Sequence, residues 1–267
     1  MHPIIENRVR QLPPLPESAL QIEAVYQNPD SSFADMVKIL EKDPLLTATI
    51  LKAANSPLYG FTREISSITQ AVGLFGMGTI RGFALATIIK KSFELDLSAY
   101  RITNAQFSEL SSVQNALAVN WYLRSNPRML DLLSPASFLV EIGKVLISRY
   151  LIDNDLVEKF READTTHCYY NPEKLVAEIS TTEVTSAILE HWKFDEKLIE
   201  LMKHAEPEVD TDEELSEEAK VLQVIRITSG KNGQILEENI VKAKELIEKY
   251  GLNLEAYEGA LEKLDSK

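Results

Sequence analysis

The side chains best suited to bind a transition metal or to act as a nucleophile are four histidines and one cysteine, Cys168. No histidine follows another by three or four positions, the spacing that puts two ligands on one face of a helix. His191 and His204 belong to consecutive predicted helices and are therefore the two that could meet in space. A metal site would also need carboxylates or further imidazoles, so surface or half-buried histidines are the simpler interpretation.

The glycine-rich segments do not match a phosphate-binding loop. Gly73–Gly78 fits neither the dinucleotide fingerprint nor the phosphate loop, and Gly143-Lys144 is followed by Val145, which has no hydroxyl for magnesium. Helix junctions and helix packing explain both segments better. Cys168 has tyrosines beside it, which favours a structural thiol, and no Gly-x-Ser-x-Gly elbow is present.

Composition excludes several classes of protein. The chain has 267 residues, 45% of them hydrophobic, which suits one large domain or one domain with a smaller companion. A net charge of −13 without clustered Lys and Arg argues against nucleic-acid binding. The lone cysteine cannot form an internal disulfide and favours the cytoplasm. No apolar run approaches the roughly 20 residues of a membrane helix, so we expect no membrane insertion.

Helical periodicity dominates the chain, which predicts an all-α fold of two packed bundles with a helical tail. Asp43-Pro44 combines an N-cap with a first-turn proline and predicts a helix that ends at Asn55. The same logic places a helix start at Ser134-Pro135. The inward residues expected on that second helix are Leu139, Ile142, Leu146 and Tyr150.

The C-terminal region has a different composition. The segment from Glu206 to Glu218 contains eight acids and no base, which predicts a solvated linker over its first half. Three shorter apolar stripes follow it and predict three helices that dock on the main bundle or mediate self-association. The composition therefore separates an acidic linker and helical extension at 207–267 from the rest of the chain.

Several segments together resemble the HDOD family, the HD-related output domain of bacteria. The resemblance covers about residues 8 to 206 and implies one domain at 8–206, ahead of the extension at 207–267. The segments that carry it are Leu12–Pro16, Glu41–Ala48, Leu51–Ser56, Ile68–Val72, Gly76–Arg81, Phe138–Lys144 and Ile188–Trp192.

The resemblance implies an HD-like helical fold without catalytic activity. The His-Asp pair that binds metal in HD phosphohydrolases would fall at Val140-Glu141, and a later histidine ligand near Thr181. Valine has no lone pair, and a lone glutamate cannot hold a divalent ion against water. We therefore expect no metal, no cofactor and no catalytic residue. The candidates for a relict, metal-free cleft are Val140, Glu141, Lys144, Thr181, His191 and His204; the family-motif residues expected to be structural are Asp43, Pro44, Asn55, Ser56, Gly76 and Trp192.

Three functions are compatible with this pattern. The first is a regulatory module that binds a signalling protein or a small ligand, of the sort associated with cyclic-dinucleotide circuits, motility or stress responses. The second is a residual metal-dependent phosphohydrolase that uses unrecognised ligands. The third is a scaffold that only forms homo-oligomers. Bound metal would identify the second, and a ligand or partner that changes stability would separate the first from the third.

Overall fold

The computed structural model describes residues 3–93, 95–164, 172–207 and 215–265, and within these ranges it contains helices and no strand. This confirms the predicted all-α fold. The α-helices in chain order are α1 (Pro3–Arg10), α2 (Glu17–Gln27), α3 (Phe33–Leu40), α4 (Pro44–Ala54), α5 (Ile68–Ser92), α6 (Asn104–Tyr122), α7 (Leu130–Leu139), α8 (Gly143–Asp153), α9 (Val157–Asp164), α10 (Pro172–Ala177), α11 (Thr181–His191), α12 (Glu196–Lys203), α13 (Glu217–Ser229), α14 (Glu237–Tyr250) and α15 (Leu254–Asp265).

The helices pack as two groups that share one apolar core. In the first group, α5 packs against α2, α3, α4 and α7, and α6 packs against α7. In the second group, α11 packs against α8 and α12, while α1 covers both α8 and α11. Contacts between α7 and α12 join the two groups.

Asp43 and Asn55, two of the motif residues expected to be structural, form hydrogen bonds at the two ends of α4. The Asp43 carboxylate accepts hydrogen bonds from the backbone N–H groups of Leu45 and Leu46 at 3.0 and 2.9 Å, as expected of an N-cap. The Asn55 side chain donates to the Leu51 and Ile65 carbonyls and accepts from the Ile65 N–H, each at 2.8 Å. Asn55 thereby pins the loop after α4 back onto the helix end.

We expect Asp43→Ala to lower the free energy of unfolding by about 1 kcal/mol, because two N–H groups at the start of α4 lose their acceptor. Chemical denaturation of the variant and the wild type measures the difference. Asp35→Ala is a matched control, because it removes the capping box that Asp35 forms with Ser32 at the start of α3 and should lower stability by a similar amount. A signalling defect in Asp43→Ala at unchanged stability would contradict the structural role.

The motif residues Ser56, Gly76 and Trp192 also have local roles. Ser56 Oγ accepts from the Leu58 N–H at 3.4 Å and starts a one-turn 3₁₀ helix. Gly76 interrupts α5 with φ of 79°, a left-handed conformation that favours glycine, inside the junction expected at Gly73–Gly78. The Trp192 indole donates to the Pro13 carbonyl at 2.9 Å, which ties the N-terminal segment to the end of α11.

The predicted helix start at Ser134-Pro135 is wrong. α7 begins at Leu130 and contains Pro135, and a break at Val140–Ile142 separates it from α8. Proline has no N–H for the carbonyl of Asp131, four residues earlier, and the Tyr26 hydroxyl donates to that carbonyl instead at 2.9 Å. The inward-facing residues expected on one helix are therefore divided between two, with Leu139 on α7 and Leu146 and Tyr150 on α8.

The C-terminal helices dock on the main bundle. α13 packs against α6 and α7, and α15 packs against α6. Val221, Leu222, Val224 and Ile225 of α13 are completely buried. Residues 208–214, within the predicted acidic linker, lie outside the described residues, so the division of the chain at 206/207 stays a prediction.

One helix in the described part of the chain, α5, is long and apolar enough to cross a membrane. This corrects the expectation that no apolar stretch reaches that length. Of its most apolar 18-residue stretch, 72% is buried inside the bundle, which is typical of a core helix.

Candidate functional site

The break between α7 and α8 brings three of the predicted cleft residues together, namely Glu141, Lys144 and Thr181. The Gly143 N–H donates to Thr185 Oγ1 at 3.0 Å, and that hydroxyl donates to the Val140 carbonyl at 2.9 Å. A Cβ at position 143 would lie 2.3 Å from the Thr181 carbonyl oxygen, so glycine is needed for this close approach of α8 to α11. Val140 is completely buried.

Glu141 is buried between two cations. Its Oε2 lies 2.6 Å from Lys144 Nζ, a close approach of charges without good hydrogen-bond alignment, and its Oε1 accepts from Arg226 Nε at 2.8 Å. The Gln114 amide also donates to Oε1, at 3.3 Å. Burial raises the pKa of Glu141, but the charges of Arg226 and Lys144 outweigh it and hold that pKa below its ordinary value.

A second carboxylate, Glu173, lies on the other side of the Lys144 ammonium. Its Oε1 is 3.6 Å from Lys144 Nζ and accepts from the Tyr100 hydroxyl at 2.8 Å. The Thr181 N–H and hydroxyl both donate to this carboxylate, at 2.6 and 2.7 Å. Burial lowers the pKa of Lys144, but Glu141 and Glu173 outweigh it and raise that pKa, so the ammonium is stable in the interior.

The second cation comes from the C-terminal extension. Arg226, on α13, donates from Nη1 to Glu206 Oε2 at 3.0 Å and to the Ala205 carbonyl at 2.8 Å. Its guanidinium thus links the carboxylates of Glu141 and Glu206 to the backbone after α12. A planar guanidinium can do this because it presents several N–H donors in a fixed arrangement, which a lysine ammonium does not. We refer to the resulting set of charges as the buried ion-pair cluster, which consists of Glu141, Lys144, Glu173, Glu206 and Arg226.

A cavity of about 540 Å³ adjoins the buried ion-pair cluster, and all five cluster residues line it. Its other walls come from the segment before α6, from α9, and from the α13–α14 connection with the start of α14. Both the family-like region and the extension therefore contribute to it. Sequence reasoning placed Glu141, Lys144 and Thr181 together but missed Glu173, Glu206 and Arg226.

The candidate histidines lie elsewhere. His191 is exposed at the end of α11, and His204 is half-buried after α12 with its Nε2 2.9 Å from Glu200 Oε1. Neither is among the described residues that line the cavity. His167 and Cys168 lie outside the described residues.

The residues at this position do not fit a metal ion. The Val140 side chain has no donor atom, Glu141 is neutralised by two cations, and the Thr181 hydroxyl donates to Glu173. A divalent ion would have to displace both Lys144 and Arg226 from Glu141. Within residues 3–93, 95–164, 172–207 and 215–265, no three His, Cys, Asp or Glu side chains are grouped to hold a metal ion.

Comparison with known proteins identifies the fold and the family. The model of the HDOD domain matches residues 12–207. The chain belongs to the HDOD family. The match leaves out α13–α15, although Arg226 of α13 binds Glu141 inside the matched region.

Solved structures extend the similarity of this HDOD protein over its whole length. A virulence factor from Campylobacter jejuni is 25% identical, with a TM-score of 0.57, and the alignment covers 100% of this chain and 98% of that one. A candidate phosphohydrolase from Shewanella amazonensis is 20% identical, with a TM-score of 0.68 and coverages of 98% and 93%, which shows the fold alone. An uncharacterised protein from Treponema pallidum is 32% identical over 73 residues, which are 27% of this chain and only 14% of that protein.

Proposed function

We infer that this HDOD protein is a regulatory module that does not hydrolyse phosphate esters and acts by binding a signalling protein or a small ligand. The observation that carries this inference is the pairing of Glu141 with both Lys144 and Arg226, at 2.6 and 2.8 Å. The carboxylate that would serve as a metal ligand in an HD phosphohydrolase is here a partner of fixed cations.

Electrostatics supports the inference. Two side-chain cations already neutralise Glu141, and removing them from a buried carboxylate to admit a metal would cost several kcal/mol. The second carboxylate, Glu173, already accepts hydrogen bonds from Thr181 and Tyr100, and a metal ion would have to displace these as well. What remains is an ion-paired polar surface that lines a cavity, which suits binding better than hydrolysis.

We expect purified protein to contain less than stoichiometric tightly held metal, and to show no turnover of phosphate monoesters or diesters with added manganese. Elemental analysis and a chromogenic phosphoesterase assay measure both. Glu141→Ala is compared with Glu200→Ala, which removes an exposed carboxylate next to His204. Stoichiometric metal, or turnover lost in Glu141→Ala and kept in Glu200→Ala, would establish a residual phosphohydrolase instead.

A further inference from the structure

The connection between α13 and α14 contains Asn232-Gly233, the one asparagine–glycine pair in the sequence. Glycine has no Cβ to shield its backbone nitrogen, so this nitrogen can reach the side-chain amide carbon of the asparagine before it. Both residues are half-buried, so water and hydroxide have access to them. This pair is therefore the best candidate in the chain for a reaction between backbone and side chain.

The Asn232 side chain is folded back onto the backbone that follows it. Its Oδ1 accepts a hydrogen bond from the Gln234 N–H at 3.2 Å, which forms an Asx turn. The ring closed by this bond contains both the Asn232 Cγ and the Gly233 nitrogen, so it holds the two atoms near each other. The Gln234 N–H also stabilises negative charge on Oδ1, the oxygen on which charge develops when a nucleophile attacks Cγ.

The two groups that would lose a bond to hydrogen or carbon are not held by other partners. In the described part of the chain, neither the Gly233 N–H nor the Asn232 side-chain amino group donates a hydrogen bond. An N–H without an acceptor can lose its proton to hydroxide, and an amino group without an acceptor can leave as ammonia. The geometry thus favours attack of the Gly233 nitrogen on the side chain of Asn232.

Two other asparagines each lack one part of this arrangement. Asn28 forms the same turn, with its Oδ1 accepting from the N–H two residues later at 3.0 Å, but it precedes Pro29, whose nitrogen has no proton to lose. Asn55 precedes Ser56, but its Nδ2 donates to two carbonyls, each at 2.8 Å. Of the three, Asn232 alone combines the turn, a free amino group and a following N–H.

We propose that Asn232 is a site of covalent self-modification through a cyclic imide. The Gly233 nitrogen loses its proton and forms a bond to the Asn232 Cγ, while the Cγ–Nδ2 bond breaks and Nδ2 leaves as ammonia with that proton. Water then adds to one of the two ring carbonyls and opens the ring, which gives aspartate or isoaspartate. No oxidant or reductant takes part, and the inference does not depend on the proposed function.

The modification changes the surroundings of Asn232 in two ways. Either product places a carboxylate on the wall of the cavity next to the buried ion-pair cluster, since Asn232 lines that cavity. Isoaspartate also adds a CH₂ group to the backbone directly before Gly233, where space is short. A Cβ on Gly233 would lie 3.0 Å from the Leu110 Cα and 3.1 Å from the Leu110 nitrogen. We therefore expect the isoaspartate form to pack less well on α6 and to unfold at a lower urea concentration.

The test is incubation of the full chain at pH 8 and 37 °C, followed by pepsin digestion at acidic pH and mass spectrometry. We expect the peptide with Asn232 to gain about 1 Da at least tenfold faster than the peptides with Asn28 or Asn55. The rate should rise with pH, because the attacking nitrogen must lose its proton. Asn232→Gln, which keeps the amide but would have to close a larger ring, should slow the gain at position 232 at least tenfold.

A synthetic peptide of residues 228–238 measures what the local sequence contributes without the fold. The folded chain should react several times faster than this peptide, because the fold holds the Asx turn in place. Faster reaction at Asn28 or Asn55, or a folded chain no faster than the peptide, would overturn the inference. Urea denaturation of the separated isoaspartate form and the unmodified chain tests the effect on α6, and equal midpoints would overturn that effect.

Discussion

Arg226→Ala is expected to lower the free energy of unfolding by about 3 to 5 kcal/mol. The substitution leaves buried Glu141 with one cation instead of two, and it removes one ion pair of Glu206. Urea denaturation at pH 7 measures the loss. Lys244→Ala is the matched control within the extension, since Lys244 pairs with Glu258 at 2.6 Å but both side chains are at least 40% exposed. That variant should change stability by no more than about 1 kcal/mol.

The pH dependence of stability tests the ion pair between Glu141 and Arg226 independently. The folded-state pKa of Glu141 lies below its unfolded-state value of about 4.3, so its ionisation contributes stability that is present above that pH. The contribution is lost as the pH falls through the folded-state pKa. Arg226→Ala raises that pKa, so the variant should lose less stability than the wild type between pH 7 and pH 3. Parallel curves for the two proteins would contradict the role of Arg226.

Arg81→Met should lower the free energy of unfolding by roughly 3 to 5 kcal/mol, about as much as Arg226→Ala. It leaves the buried carboxylate of Glu23 without the guanidinium that binds it. Arg81 is 1% exposed and binds Glu23 through two hydrogen bonds of 2.6 and 2.7 Å. It also reaches Asp195, the N-cap of α12, at 2.7 Å, and its guanidinium lies 4.2 Å from the centre of the Tyr26 ring. One side chain therefore holds α2, α5 and α12 together.

A second variant distinguishes two causes of the lost stability, the unpaired charge of Glu23 and the lost packing of the Arg81 side chain. Replacing both Arg81 and Glu23 with methionine removes the stranded carboxylate, and this double variant should recover much of the loss. Arg10→Ala, which breaks an exposed pair with Glu6, is the control and should cost about 1 kcal/mol or less. A double variant less stable than Arg81→Met would show that packing, not an uncompensated charge, dominates.

Helix starts were predictable where the signal is local. Asp43 and Asp195 cap the helices that follow them, because an N-cap depends on a side chain and the backbone two or three residues later. The helix start predicted at Ser134-Pro135 is wrong because a proline inside a helix gives the same sequence pattern as a proline at a helix start. A proline is tolerated inside α7 because a distant group binds the Asp131 carbonyl, which has lost its helical N–H donor. Here that group is Tyr26, 105 positions away from the carbonyl it binds.

The site was predictable only in part for the same reason. Lys144 was a visible candidate partner of Glu141, three residues away on the chain, and the contact is present. Arg226 stands between two isoleucines of an amphipathic helix outside the resemblance, where a basic residue is ordinarily solvated. Glu173 likewise has no local signal, since its role depends on Tyr100 and Thr181 from other elements.

The pairing of Glu141 with Arg226 also has a consequence for the order of events during synthesis. Arg226 follows Glu141 by 85 positions, which a ribosome adds in about 4 to 17 s at roughly 5–20 residues per second. During that interval Glu141 has Lys144 as its only cation in the cluster. The nascent domain therefore cannot bury the junction of α7 and α8 at its final stability until α13 has emerged, and completion of the core waits for the last part of the chain.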